Sequence, residues 1–422
     1  MCCPAARPRR SELDMETETA PSPSPEQIDL SAPSVIADPY PAYRALRGRS
    51  PVLYARVPAG GAAGLGEPIR AYALLRHAEV LAALRDPQTF SSNVTDKIRV
   101  LPRITLLHDD PPRHTHLRRL VSRSFTPRRI AELEPWIGRL AASLLEATGD
   151  GPSDLMGAYA MPLPMMVIAT LLGIPAERYV QFRSWSESVM SYSGIPAEER
   201  ASRGKAMVDF FAAELEARRR APSGDLISAL VEAEIDGARL DTPEAVGFCV
   251  GLLVAGNDTT TNLIGNMAHL LSERPELYRR AQQDRSLVGP IIEETLRHSS
   301  PVQRLLRVTT RPVDVSGVMI PAGHLVDVVF GAANRDPAVF EEPDAFRLDR
   351  PPAEHLAFGQ GTHFCIGAAL ARMEARIALN ALLDCYESIT PGEAPPLRQT
   401  RAIMPLGFES LPLVLRRSRA TA

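Results

Sequence analysis

Four groups of residues in this sequence have the types and spacing that chemistry needs. The first is Cys365 in "HLAFGQGTHFCIG" (355–367), bracketed by Gly359, Gly361 and Gly367, with His363 two residues before it. A cysteine among apolar neighbours is an inert small hydrophobe unless its surroundings favour the thiolate. Here a helix is expected to start beside Cys365, and its free amides and dipole would stabilise charge on sulfur. Buried thiol, nucleophile and soft metal ligand all stay open on these residues alone. The second group is Asp258 and Thr259 in "AGNDTT" (255–260), a carboxylate and an alcohol side by side, the pairing that proton delivery uses. Away from a cofactor the same stretch would be a polar patch where a helix meets its neighbour. The third is Glu294-x-x-Arg297, an i,i+3 acid–base pair of a kind usually found on helix surfaces. The fourth is "DDPPRHTHLRRL" (109–120), where His114 and Arg118 fall on one helical face, either solvated or aimed together at an anion.

These groups need elements to hold them. "PVLYARV" (51–57) and "IRAYALLR" (69–76) read as two strands joined by the glycine-rich "PAGGAAGLGEP", and short β segments return between 305 and 330. Between them, residues 111–300 follow a 3.6-residue period broken by Pro and Gly. Segments such as "TPRRIAELEPWIGRLAASLLEAT", "PAERYVQFRSWSESVM" and "PAEERASRGKAMVDFFAAELEARR" are expected to be helices, and so is "DLISALVEAEI". Asp241-Thr242-Pro243-Glu244 is a helix start signal. A helix from there to Ser272 would span roughly 45 Å, with apolar residues on most faces of its middle, so it is expected to be buried. Gly256 and the hydroxyls beside it would weaken it locally. A last long helix, "IGAALARMEARIALNALLDCY", follows Cys365. The expected fold is mainly α with small β-sheets: a disordered, Pro- and Ser-rich lead-in over residues 1–30, then one domain over 31–422.

The chain has 422 residues, 45% of them hydrophobic, enough for a large core. Its formal net charge is −3 with both signs plentiful, so nothing points to nucleic acid or an anionic membrane. Its five cysteines have no CxxC-type spacing, which argues against a disulfide framework or a zinc site. No run approaches the ~20 apolar residues of a membrane span, and residues 1–30 hold no apolar signal core. The expected location is the cytoplasm.

"FGQGTHFCIG" (358–367) resembles the haem-binding loop of the cytochromes P450, F-G-x-G-x-H-x-C-x-G, with Phe358, Gly359, Gly361, His363, Cys365 and Gly367 at its six fixed positions. The other groups resemble further segments of that family, in the family's order. The resemblance, which covers roughly residues 35 to 415, implies the P450 fold, with the long central helix over a haem b whose iron is ligated by Cys365. It implies that His114, Arg118, Arg307 and His363 bind the haem propionates, that Ala255 and Gly256 lie against the haem face, and that Asp258 and Thr259 deliver protons. Phe358, Gly359, Gly361 and Gly367 would shape the loop and clear the porphyrin. Glu294 and Arg297 resemble the buried ExxR pair. The arginine that usually completes that pair is replaced by Ala345, leaving Arg347 or Arg350 to substitute. Arg113 also departs from the pattern, standing where the family usually has an acid.

The implied function is a haem-thiolate monooxygenase inserting one atom of dioxygen into a C–H bond or an alkene of a medium-to-large, largely apolar molecule, such as a polyketide, macrolide or peptide. Oxidative coupling, peroxygenation and non-catalytic haem binding are the alternatives. Substrate contacts are expected from residues 91–107, including Val94, and from Leu252, Leu253, Val302, Leu305 and Met404, with Arg304 and Asn257 as polar anchors. No G-x-G-x-x-G follows a strand, so electrons would come from a ferredoxin and its reductase. Arg119, Arg123, Arg128, Arg372 and Arg376 would either form the docking face or be ordinary solvated helix charges.

Overall fold

The start signal at Asp241 works as the sequence suggests. In the computed structural model its side chain accepts from the Glu244 N–H at 2.8 Å, while the Glu244 carboxylate accepts from the Asp241 N–H at 3.2 Å, a reciprocal cap. The helix that follows, Thr242–Ser272, runs without a break through Gly256 and the hydroxyls beside it, with Thr259 Oγ1 bonded back to the Ala255 carbonyl at 2.7 Å. Residues 29–57, 69–97, 104–122, 125–175, 178–190, 195–232, 234–235, 238–351, 353–400 and 404–418 are described here. The lead-in up to residue 28 and the glycine-rich stretch 58–68 lie outside them. Asp29 and Leu30, at the edge of the segment expected to be disordered, are packed: Leu30 is buried and Asp29 bridges to Arg56.

Helices dominate around that axis. The predicted ones appear as Pro127–Thr148, capped by Thr126, Tyr179–Met190, Ala197–Arg220 and Ala368–Cys385. The last begins at Ala368, three residues after Cys365. "DLISALVEAEI" is helical only over Leu226–Val231. Beyond it, Glu234 and Ile235 pair with Arg239 and Ala238, so strand pairing replaces the helical period there.

The strands form a five-stranded sheet in the order Val52–Val57, Ile69–Leu74, Leu325–Val328, Leu305–Thr309, Phe90–Ser91. Its one parallel pair, Ile69–Leu74 with Leu325–Val328, ties the two ends of the chain together. A three-stranded sheet, Tyr386–Pro391, Pro412–Arg417 and Gly151–Asp154, closes the far side.

The central helix belongs to two cores. Its first half, Ala245 to Val254, packs with Phe182, Trp185, Phe211 and Leu215. Its last part, Leu263 to Leu271, packs with Ile137, Tyr159, Leu379 and Leu382. The polar stretch around Asp258 and Thr259 falls between the two cores, beside a large cavity. No helix among the described residues is long and apolar enough to cross a membrane.

Candidate active site

Cys365 is presented by a tight loop. The Cys365 N–H donates to the Phe358 carbonyl at 2.9 Å, closing it, and one 3-10 turn, Gly361–His363, lies inside. Gly359 and Gly361 have φ of 68° and 67°, a region in which a side chain is strained. A Cβ on Gly361 would also come 2.6 Å from the Leu84 carbonyl oxygen, so this glycine makes room for the neighbouring helix, not for a porphyrin as expected. Cys365 is exposed and lines a cavity. Burial pushes the Cys365 thiol up, and the Gly367 N–H on the sulfur, then Arg118 and Arg372, work against that. Among the described residues no three His, Cys, Asp or Glu side chains gather as a metal cluster, so Cys365 stands by itself as a ligand.

Beside it lies a group of buried nitrogen donors. His114 is 1% exposed and neither of its ring nitrogens has a partner. Its ring lies 4.2 Å from that of His363, whose Nε2 meets Ser92 Oγ at 2.9 Å. Burial first and Arg118 second bring His114 down to about 4, with Asp109 and Asp110 opposing. Burial, then Arg307, His114 and Arg118, take His363 to about 2. Arg307 is buried, is lowered to about 10 by that burial with the charge of Asp110 opposing, and among the described residues bonds only to the Leu306 carbonyl at 2.8 Å. Arg118 reaches the Thr362 carbonyl at 3.3 Å. Among the described residues no carboxylate ion-pairs with Arg118 or Arg307. The buried Arg307, the half-buried Arg118 and the orphaned His114 nitrogens converge as donors suited to an anion. A haem, with two propionates and an iron that takes a thiolate, fits this donor set.

The cavity measures about 370 Å³. Val94, Leu252, Ala255, Gly256, Thr259, Val302, Leu305 and Met404 line it, as do Phe358, Gly359, Cys365 and Gly367. Leu253 does not: it is fully buried in the core beneath the first half of the helix. Arg304 touches the cavity, but its guanidinium is held by Asp327 at 3.0 Å and by the Tyr43 hydroxyl at 2.9 Å, so it is a structural cation and not a substrate anchor. Asn257 is buried, and its amide donates to Asp258 at 2.7 Å.

Asp258 and Thr259 diverge. Thr259 faces the cavity, whereas the Asp258 carboxylate turns about 100° away around the helix and accepts from Ser186 Oγ at 3.2 Å. Burial raises Asp258 to about 7, with the Ser186 bond opposing. Sequence reading missed Ile168, Phe248 and Leu296 in the cavity wall, and also Glu374. Glu374 is 2% exposed, one of its oxygens has no partner, and burial lifts it far above the usual carboxylate range. Its spacing from Leu370 and Ile377 on the buried face of the last helix was the available signal.

Behind the cysteine loop, Arg297 holds Glu294 through Nε at 2.8 Å and Nη2 at 2.7 Å, and donates to the Asn334, Pro343 and Ala345 carbonyls. Arg350 is the third member, its Nε 3.0 Å from Glu294. Arg347 contributes only its backbone N–H at 2.8 Å, its side chain turning to Glu342 and Asp349 at the surface. Several arginines of the expected docking face are already paired: Arg372 with Glu293 at 2.7 Å, Arg376 with Glu134 at 2.9 Å, and Arg128 with Glu132 at 3.3 Å. Arg119 is exposed, and Arg123 lies outside the described residues.

Comparison with known proteins agrees with this geometry. The family model described as Cytochrome P450 matches residues 195–412. The chain is 39% identical over 352 residues to the erythromycin C-12 hydroxylase of Saccharopolyspora erythraea, covering 81% of this chain and 88% of that protein. It is 37% identical over 353 residues to the cyclomarin C epoxidase CymV of Salinispora arenicola, covering 78% and 89%. Its fold superposes on the structure of cytochrome P450 CYP109Q5 from Chondromyces apiculatus with a TM-score of 0.82 and 35% identity, covering 93% and 99%. Members of this family are monooxygenases that bind haem b through a cysteine ligand. The chain belongs to the cytochrome P450 family.

Proposed function

We propose that this chain hydroxylates or epoxidises an uncharged, largely apolar secondary metabolite of macrolide or similar size, with electrons supplied by a ferredoxin and its reductase. The observation that carries the substrate reading is the cavity wall. Val94, Ile104, Leu106, Leu107, Phe248, Leu252, Val302, Leu305 and Met404 offer carbon, and the guanidinium of Arg304 is already neutralised by Asp327. Of the other charged side chains on the wall, Arg118 and Arg307 are taken by the propionates in this reading and burial holds Glu374 protonated, so an ionised substrate would find little counter-charge. Relatives named for erythromycin and cyclomarin C are consistent with a bulky substrate.

In this reading Cys365 ligates the iron, and His114, Arg118, Arg307 and His363 take the propionates. When bound, the haem activates dioxygen and transfers one oxygen atom to the substrate. The residues of this chain supply the rest. The Gly367 N–H stabilises charge on the Cys365 sulfur. Thr259 holds a hydroxyl at the cavity whose proton is parked on the Ala255 carbonyl. Asp258, raised to about 7 beside Ser186, is a proton reservoir one residue away.

The reduced, carbon monoxide-treated protein is expected to show the red-shifted thiolate Soret band, and its absence would sink the haem assignment. A screen of apolar ligands by Soret shift identifies the substrate class. Thr259→Ala is expected to keep that band and oxidise reductant while forming less product. Unchanged coupling would remove Thr259 from proton delivery.

A further inference from the structure

One wall of the cavity is fastened through Arg113. Residues Ile104 to His108 make a single turn, the His108 N–H donating to the Ile104 carbonyl at 3.2 Å, and all five residues line the cavity. The turn is strained at Leu106, whose φ of 75° is one that L side chains avoid. Asp109, 2% exposed, holds it there by accepting the Leu106 N–H on Oδ2 at 2.9 Å. The other oxygen of Asp109 accepts from Arg113 Nε at 3.1 Å. The far end of the same guanidinium ion-pairs with Glu244, in the first turn of the central helix. Two further contacts run alongside. Thr105 Oγ1 donates to the Glu244 carbonyl at 2.9 Å, and a Cβ on Gly251 would come within 2.6 Å of Ile104 Cγ2. An acid at position 113 would face both Asp109 and Glu244 and repel them, so the arginine is what allows this junction.

We infer that Arg113 is a positioning residue: by bridging Asp109 to Glu244 it ties the 104–109 wall to the central helix and sets how long a bulky ligand stays in the cavity. The inference rests on the haem reading above, because the ligand is observed through the haem. The bridge sits at the surface end of the junction, with Arg113 and Glu244 side chains 42% and 33% exposed. Solvent therefore weakens it, and the expected effect on ligand release is about two- to fivefold.

The test uses the haem-loaded protein and two iron-coordinating probes, imidazole and the much bulkier clotrimazole, with dissociation followed by the Soret shift. Arg113→Gln and Glu244→Gln are compared with wild type and with the double variant, glutamine at 244 keeping the acceptor that caps Asp241. Clotrimazole is expected to leave about two- to fivefold faster than from wild type in each single variant, and the double variant should release it no faster than the singles do. Imidazole release should be unchanged, and added salt should accelerate clotrimazole release from wild type only. Equal acceleration of both probes, or single-variant factors that multiply in the double, would overturn the inference. If Arg113→Gln fails to hold haem, Glu244→Gln decides alone: faster clotrimazole release with unchanged imidazole release supports the inference, and unchanged clotrimazole release or equal acceleration of both probes overturns it. A wild type showing neither a thiolate band nor a shift with either probe refutes the haem reading itself, and the inference with it.

Discussion

Removing Arg350 should destabilise the protein by about 2–3 kcal/mol, whereas removing Arg347 should leave it close to wild type. Both arginines follow the position where the family pattern has its third network member, and only the structure separates them. Glu294 and Arg350 are 6% and 10% exposed, and three donors converge on Glu294 Oε1: Arg297 Nη2 at 2.7 Å, the Arg347 N–H at 2.8 Å and Arg350 Nε at 3.0 Å. Burial would raise Glu294, but the bonds from Arg297, Arg347 and Arg350 outweigh it and hold the carboxyl below its ordinary value of 4.5. Arg350→Ala deletes a charge-assisted hydrogen bond to Glu294, worth about 1.5–3 kcal/mol, from a carboxylate that keeps Arg297, together with bonds to the Glu341, Glu342 and Ala345 carbonyls, which water can replace at this half-open edge. The loss should therefore stay below the ~3–5 kcal/mol of leaving a buried charge unpaired, the loss expected of Arg297→Ala. Arg347→Ala removes only pairs at the surface and keeps the backbone donor. The contribution of Glu294 is present above pH 4.5 and fades as pH falls through its depressed folded value, so in Arg350→Ala the fading should begin at higher pH. Urea unfolding of the haem-loaded variants, followed by far-ultraviolet circular dichroism, measures both effects. A midpoint for Arg347→Ala at or below that of Arg350→Ala would refute the assignment.

Asp258→Asn should gain stability over wild type as pH rises. Asp258 goes from an ordinary 3.8 to about 7 on folding, so the penalty for ionising it in the folded state grows between those pH values and is constant above them, at most about 4 kcal/mol for this half-buried group. Urea midpoints of the pair at pH 4 and pH 8 check this, and a constant gap would contradict it. Leu252→Ala should change Soret-shift affinities for bulky ligands with a small loss of stability, while Leu253→Ala should lose about 3 kcal/mol and leave ligand affinities alone. The same titrations and unfolding curves decide between them, and an exchange of the two phenotypes would place the helix in the wrong rotation.

How much the sequence revealed depended on whether a constraint was local. A loop that needs positive φ writes glycine into the chain, so Gly359 and Gly361 could be read directly, though not that Gly361 answers to the Leu84 carbonyl, a contact with a helix some 280 residues earlier in the chain. Caps are local too, and Asp241 and Glu244 were legible. The partners of arginines were not: Arg304 finds Asp327 and Tyr43, and Arg113 finds Glu244, all through tertiary contact. A guanidinium on a long stem reaches several ångströms in any direction, so its sequence neighbours say little about where its charge ends up.

The central helix shows what could have been read and was not. Apolar residues on every face hide its rotation, which is how Leu253 came to be placed beside Leu252 in the cavity. The hydroxyl of Thr259 fixes that rotation. At about 100° per residue, Phe248, Leu252, Ala255, Gly256 and Leu263 fall within about 60° of it around the helix, and each of these lines the cavity. Leu253 and Asn257 fall off that stripe, about 120° and 160° around from Thr259, and face protein. Asp258 falls off it as well. Adjacency in sequence is what separates the carboxylate from the alcohol here, because neighbouring residues on a helix point about 100° apart. A proton passing from Asp258 to Thr259 would therefore have to cross the helix surface through a side-chain rotation or a water molecule, and the Ser186 hydroxyl, which donates to the Asp258 carboxylate, holds that carboxylate on the far side.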